Sequence, residues 1–356
     1  MKEAIRKRAS ELGFDGCRFT TAAPPEHAAE FQHWVGAGQH GEMAYLERNA
    51  PKRIDPQKVL PGAKTVIALA TSYYQGAAGS VASGTQRERG RIARYARYAD
   101  YHDVLGARLD ELSAEINALG GPGTRSLGYV DTGPILERDL AQRAGIGFIG
   151  KHTNLISRNL GNWIFLSEVL TTLGVAPDAE EENRCGSCSR CLSACPTGAI
   201  TAPFKLDARK CISYLTIELK GPIPVELRPA LGDRIYGCDD CLDACPWNRF
   251  ARAGELMREH ARADLDQPGL VELLGLDETG FKARFHGTPI FRTKRRGFLR
   301  NVCVALGNIG DGSALPALRR AAGDREPLIA EHAQWAIAEI DRRHRGTEPP
   351  DPHSPG

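Results

Sequence analysis

The period of the apolar positions changes along this chain, and the changes mark out its parts. Residues 1–12 carry a helical pattern that Gly13 stops; a short strand is expected over 17–20 and a helix over 26–35. Residues 64–70 (KTVIALA) are apolar and rich in β-branched side chains, the pattern of a buried strand. Residues 75–90, rich in Gly, Ser and Gln, read as a loop. Helical spacing returns over 104–119 and ends in Gly120-Gly121-Pro122-Gly123. A second strand is expected over 126–130, ending at Asp131, with Pro134 in the first turn of the next helix. Leu136, Leu140 and Ala144 give that helix an apolar stripe, and Gly145 closes it. A further strand spans 163–170. Strands alternating with helices predict an α/β or α+β domain over 1–175.

An acidic linker follows (Asp178, Glu180, Glu181, Glu182), and then a cysteine-rich stretch to about residue 252. Beyond it the pattern is wholly helical, over 270–274, 279–285, 297–306, 314–322 and 328–344. The run from Arg300 to Asn308 (RNVCVALGN), with the amphipathic helix after it, resembles one HEAT-type repeat. The expected fold class is α+β multidomain. It comprises an α/β domain over 1–175, a cysteine-rich domain over 176–255, an all-helical HEAT-like domain over 256–345 and a disordered tail at 346–356.

Length and composition agree with a globular chain of two or three domains: 356 residues, 42% hydrophobic and 25% charged, with no apolar run near the roughly 20 residues that span a bilayer. No apolar secretion signal opens the chain, so a cytoplasmic protein with reduced thiols is expected. Net charge is only +2, but residues 281–300 carry seven basic side chains and no acid (Lys282, Arg284, Arg292, Lys294, Arg295, Arg296, Arg300). A second basic segment, 87–97, sets five arginines against Glu88. Such segments are either solvated helix faces or a surface for a polyanion.

Eight of the ten cysteines lie between Cys185 and Cys245. Cys185-x2-Cys188-x2-Cys191-x3-Cys195-Pro196 has the spacing of bacterial-type ferredoxins, in which three thiolates wrap one cluster and the fourth ligates a second. The second run, Cys238-x2-Cys241-x3-Cys245-Pro246, lacks its first cysteine, and Cys211 replaces it. Exchanging fourth ligands assigns Cys185, Cys188, Cys191 and Cys245 to one [4Fe–4S] cluster. Cys195, Cys211, Cys238 and Cys241 then hold the other. Four cysteines also suit tetrahedral zinc, but the paired Cys-Pro endings follow the two-cluster pattern. Cys17 and Cys303 stand apart and read as small core residues.

The glycines at 145, 147 and 150 follow a helix, so they are not a nucleotide fingerprint. Asp100-Tyr101-His102-Asp103-Val104-Leu105-Gly106 looks like a cobalamin-binding D-x-H-x-x-G with its glycine one residue late, and a lone histidine is more often a core or surface residue. Asp131, at the end of a strand, is a candidate proton donor if burial raises its pKa; the alternative is a turn-forming or capping aspartate.

Together these stretches resemble the bacterial epoxyqueuosine reductases over nearly the whole chain. The resemblance rests on Ile92-Ala-Arg-Tyr95, Asp100-Tyr-His102, Val130-Asp131-Thr-Gly-Pro134, Gly147-Phe-Ile-Gly150-Lys151, the cysteine runs, Cys245-Pro-Trp247-Asn248 and the 300–308 run. It implies cobalamin beside two [4Fe–4S] clusters, an architecture related to reductive dehalogenases, and cobalamin held without a histidine ligand. It also implies a monomer, an electron donor that the sequence does not name, and a reaction that turns an epoxide in the anticodon loop of tRNA into an alkene. It makes Asp131 the proton donor and places Arg53, Lys151, His152, Thr153 and Asn154 near the cofactor and Asp100, Tyr101 and His102 near the substrate. On this view Arg292, Lys294, Arg295, Arg296 and Arg300 contact tRNA phosphates. Two other functions are weighed against it: a cobalamin-dependent reductive dehalogenase, which would need no RNA-sized basic face, and a two-cluster electron carrier, which would leave the first 175 residues without a purpose.

Overall fold

The computed structural model describes residues 1–76 and 88–347; Arg87 of the second basic segment, most of the 75–90 loop and the tail from 348 lie outside the described residues. Contacts divide the chain into two units. The first holds Met1–Val81, Arg94–Cys211 and Asp239–Arg262, and the second Ala82–Ala93, Ile212–Cys238 and Ala263–Gly356. This division differs from the expected one because strand pairing is not local in sequence. Arg91–Ile92 pairs in parallel with Arg234–Tyr236, which draws a short stretch before residue 94 into the second unit.

In the first unit, β1 (Gly16–Thr21), β2 (Thr65–Ser72), β3 (Ser126–Tyr129) and β4 (Ile164–Thr171) form a sheet of order β1-β2-β4-β3, antiparallel at every pairing. Mixed α and β content was legible; an antiparallel sheet was not. Asp131 therefore does not owe its place to the carboxyl ends of parallel strands. All eight residues of β2 are buried, as its unbroken apolar run requires of a central strand covered on both faces.

Against one face pack α1 (Lys2–Glu11), through Ile5 and Ala9, and α2 (Tyr101–Gly120), through Leu105, Leu109, Leu112 and Ile116, onto Phe19, Ile67, Leu69 and Val169. Each of the Ile, Leu, Val and Phe side chains contributes about 1.5–3 kcal/mol on burial. α2 begins three residues before the expected start because Asp100 caps it, its carboxylate accepting from the His102 amide at 3.1 Å. On the other face lies α3 (Glu137–Ala144), its Leu140, Ala141 and Ala144 against Val66, Ala68, Ala70 and Leu170. Pro134 precedes α3 in a bend rather than occupying its first turn, and Gly145 ends the helix at φ 85°. A hairpin of Phe148–Ile149 and Leu155–Ile156 follows; a side chain at Gly147 would collide with the Ile156 carbonyl.

The second unit is mainly helical. Its central helix, α4 (Lys294–Ile309), is buried continuously from Gly297 to Gly307 and packs against α6 (Pro327–Thr347), which also covers α5 (Leu315–Ala321). Among the described residues no helix is long and apolar enough to cross a membrane.

Candidate active site

The cap of α2 builds the centre of the site. Asp100 accepts from the His102 amide and also from His102 Nδ1 at 2.7 Å, so one carboxylate both starts the helix and orients the imidazole. The ring's Nε2 then faces Asp131 Oδ2 at 3.6 Å. Tyr101, stacked on Phe165 with ring centroids 4.3 Å apart, donates its hydroxyl to that same oxygen at 2.7 Å. Asp131 takes the left-handed backbone region at φ 58°, which aspartate tolerates better than most residues. Its side chain is 61% exposed, yet protein crowds it enough for burial to be the largest influence on its carboxyl. A group both crowded and reached by solvent lies in a recess.

Burial pushes the Asp131 carboxyl up, but the nearby His102 imidazole and the hydrogen bond from Tyr101 outweigh it and hold the group below the ordinary aspartate range. The sequence led to an acid kept protonated by desolvation or a neighbouring charge. Burial acts here, but His102 and Tyr101 overcome it, and Asp131 is ionised at neutral pH.

The remaining predicted residues fall into two groups. Arg53, 9% exposed, donates to the Ile135 carbonyl at 2.8 Å and feels Glu137 and Asp131. Thr153, at φ 67°, accepts from Arg138, whose charge also reaches Asp131. Lys151 instead donates to the carbonyls of Gly186 and Cys188 at 2.8 and 2.9 Å, which commits it to the cysteine loop. His152 is buried, accepts at Nδ1 from the Asn154 amide and pairs with Asn162, and burial lowers its pKa to about 4.

Cys185, Cys188 and Cys245 lie near one another, as do Cys185, Cys191 and Cys245, although Cys245 is 54 positions beyond Cys191 in the sequence. Phe148, Ile156 and Trp247 pack around Cys185 and Cys245. Thiols gathered in an apolar shell are the donor set an iron–sulfur cube requires. Cys195 Sγ accepts from the Ala199 amide at 3.2 Å, and the Cys238 amide donates to Ser213. Cys303 is fully buried and Cys17 half-buried.

Sequence reasoning missed two acids. Glu137 opens α3, and Glu168 sits mid-strand in β4, 0% exposed. The available signal was a single charged residue inside an otherwise uncharged strand, Ile164–Thr171 (IFLSEVLT).

Of the predicted tRNA contacts, Arg292, Lys294 and Arg296 are exposed. Arg295 pairs with Asp324 at 2.5 Å. Arg300 does not belong to a surface at all: it is 1% exposed and donates to the carbonyls of Leu215, Leu219 and Gly221 and to Asn301. Its charge serves packing within the second unit.

The gathered thiols in their apolar shell are those of an iron–sulfur protein. A family model described as "4Fe-4S double cluster binding domain" matches residues 184–248, and one described as "Epoxyqueuosine reductase QueG, DUF1730" matches 53–132. The epoxyqueuosine reductase of Pseudomonas aeruginosa is 40% identical over 350 residues, covering 98% of this chain and 95% of its own. A crystal structure of an epoxyqueuosine reductase with an epoxyqueuosine-modified tRNA-Tyr stem loop is 32% identical, with a TM-score of 0.86 over 98% of this chain and 95% of its own. One from Bacillus subtilis, with its catalytic aspartate loop swung out of the active site, is 33% identical, with a TM-score of 0.87 over 95% and 90%. The chain belongs to the epoxyqueuosine reductase family.

Proposed function

We propose that this protein reduces epoxyqueuosine to queuosine in the anticodon loop of tRNA. The observation that carries the reading is likeness over nearly the whole length to a relative solved with an epoxyqueuosine-modified stem loop. Epoxide to alkene consumes two electrons and two protons and releases water. When bound, two [4Fe–4S] clusters and a cobalamin supply single electrons and a strongly reducing cobalt to the epoxide carbon. Cys185, Cys188, Cys191 and Cys245 hold one cluster; Cys195, Cys211, Cys238 and Cys241 hold the other on ferredoxin spacing. Arg53, Thr153 and the Asp131 loop border the recess that takes the cobalamin, and the crowded but open setting of Asp131 supports a large ligand there.

Asp131 is the residue placed to protonate the departing oxygen, since an alkoxide leaves poorly. His102 Nε2 and Tyr101 Oη aim its Oδ2, and Asp100 fixes the imidazole that does so. A splayed anticodon base suits such a recess, and Arg292, Lys294 and Arg296 of the helical HEAT-like domain are exposed cations suited to RNA phosphates. The test is anaerobic reconstitution with iron, sulfide and cobalamin, then assay on epoxyqueuosine-containing tRNA. Eight irons, bound cobalamin and queuosine formation are expected. Stoichiometric zinc without acid-labile sulfide, or a reconstituted protein that leaves the epoxide intact, defeats the reading.

A further inference from the structure

Asp131 is ionised at neutral pH, so a proton donor at that position has to be loaded from somewhere. Solvent reaches it now, but a substrate base seated over it takes the place of that water. The source must then lie behind Asp131, inside the protein.

Two carboxyl groups lie there. Glu168 projects from β4 between Leu166 and Leu170, on the sheet face that α3 covers; across the ladder it stands opposite Ala68 and Tyr129, the latter two residues before Asp131. It is 0% exposed, and no donor reaches either of its oxygens. Its polar neighbour is Glu137, at the start of α3, whose Oε1 is likewise buried without a donor. The Asp131 amide donates to the Glu137 carboxylate and ties the two residues together. Two buried carboxylates facing each other with three of their four oxygens unpartnered are repulsive and poorly solvated; with a proton between them they become a hydrogen-bonded pair.

The charged groups around the pair relieve it only in part. Glu137 faces Asp131, Arg138 and Arg53; Glu168 faces Glu137 and Asp131. Arg53 itself is buried, spends a donor on the Ile135 carbonyl and has its Nε unpaired, and burial lowers its pKa. Burial first, then the charge of Asp131, raises Glu137 to about 8. Burial, then Glu137 and Asp131, pushes Glu168 well above the ordinary glutamate range. Neighbouring acids are therefore driven apart: Asp131 empty, the pair loaded.

We propose that Glu137 and Glu168 form an internal proton store that reloads Asp131 during epoxide reduction, Glu137 acting as the immediate giver. The inference rests on the function proposed above. In each transfer the Glu137 carboxyl gives a proton to the Asp131 carboxylate, directly or through one water. Asp131 passes it to the departing oxygen. Two such cycles supply the two protons that convert the epoxide oxygen to water, and solvent refills the pair after product leaves. Glu137 and Glu168 act through Asp131 and are positioning residues for the proton, not groups that touch the substrate.

Infrared difference spectroscopy of the holoenzyme labelled with carboxyl-13C glutamate, without substrate, reads the store directly. Protonated-carboxyl bands shifted by the label are expected at pH 7, reduced in Glu137→Gln and in Glu168→Gln. In single turnover with pre-reduced holoenzyme and an epoxyqueuosine stem loop, the wild-type rate should fall as pH rises past about 8, where Glu137 empties. Each variant should be at least tenfold slower at neutral pH and should lose that alkaline fall. Iron content and circular dichroism establish that the variants are folded, and the wild-type bands decide the matter even if one is not. No labelled protonated band in the wild type, or wild-type rates and pH profiles in both folded variants, overturns the store. A wild type that shows the bands but leaves the epoxide untouched instead overturns the function on which its chemistry rests.

Discussion

Replacing Arg300 by Met separates two roles that its charge alone cannot distinguish. The substitution keeps an aliphatic stem of similar length and removes the guanidinium. In the native chain Nη1 donates to Leu219 and Gly221 at 2.8 and 2.7 Å, and Nη2 to Leu215 at 2.6 Å, while Nε and Nη2 share Asn301 Oδ1 at 3.0 and 2.9 Å. Asn301 in turn donates to Thr216 and Ile235, so the guanidinium and the amide together tie 215–221 and 235 to α4. Met leaves those acceptors without their donor in a site 1% exposed. An unpaired buried acceptor costs about 1–3 kcal/mol, and removing a buried charge returns part of the sum. The net loss should be about 3–5 kcal/mol, a fall in melting temperature on the order of 10 °C at roughly 2–4 °C per kcal/mol. Urea and thermal unfolding of the full chain measure it. tRNA binding by the protein still folded should keep its salt dependence, since no phosphate contact has gone. Unchanged stability together with a salt slope lower by about one would refute the packing role and restore Arg300 to the RNA face.

Three other outcomes are expected. Asp131→Asn keeps the shape and the left-handed backbone but cannot carry a proton; clusters, cobalamin and RNA affinity should persist while single-turnover reduction by pre-reduced enzyme falls about a hundredfold or more, and near-normal turnover would move the acid elsewhere. Neutralising Arg292, Lys294 and Arg296 together should weaken tRNA binding and flatten its salt dependence without affecting cobalamin binding, whereas unchanged affinity at moderate salt would make this a plain solvated face. The hydrogen bond that His27 Nδ1 donates to Asp139 Oδ2 at 2.6 Å raises the pKa of His27, so the stability it adds is full below about pH 6.5 and fades as pH rises through the raised value. Because His27 is nearly half exposed, the stability difference between wild type and His27→Gln should be under about 1 kcal/mol; urea titrations at about pH 6 and pH 9 should show it shrink, and a difference that grows with pH contradicts the pairing.

Local chemistry was legible in the chain. Thiolate spacing depends on how few residues can bridge one cluster, so the Cys185–Cys195 run reads directly, and eight cysteines divide without remainder. Helix and strand positions followed the apolar period because one face of each element had to meet a core, and the strand expected at 64–70 emerged as Thr65–Ser72. Asp131 was found for a similar reason, standing where a strand pattern stops. Tertiary structure decided what each charge does. Strand direction is a property of pairing, so the antiparallel sheet could not be read from alternation of elements. The stretch 281–300, with its seven basic side chains, looked uniform until folding turned Arg300 inward, tied Arg295 to Asp324 and left Arg292, Lys294 and Arg296 outside. A carboxyl's proton affinity depends on what surrounds it in space. Asp131, chosen as the acid, gains His102 and Tyr101 as neighbours that keep it ionised, while Glu137 and Glu168, separated by 31 positions, are brought together in a buried setting with too few donors and take up the proton instead.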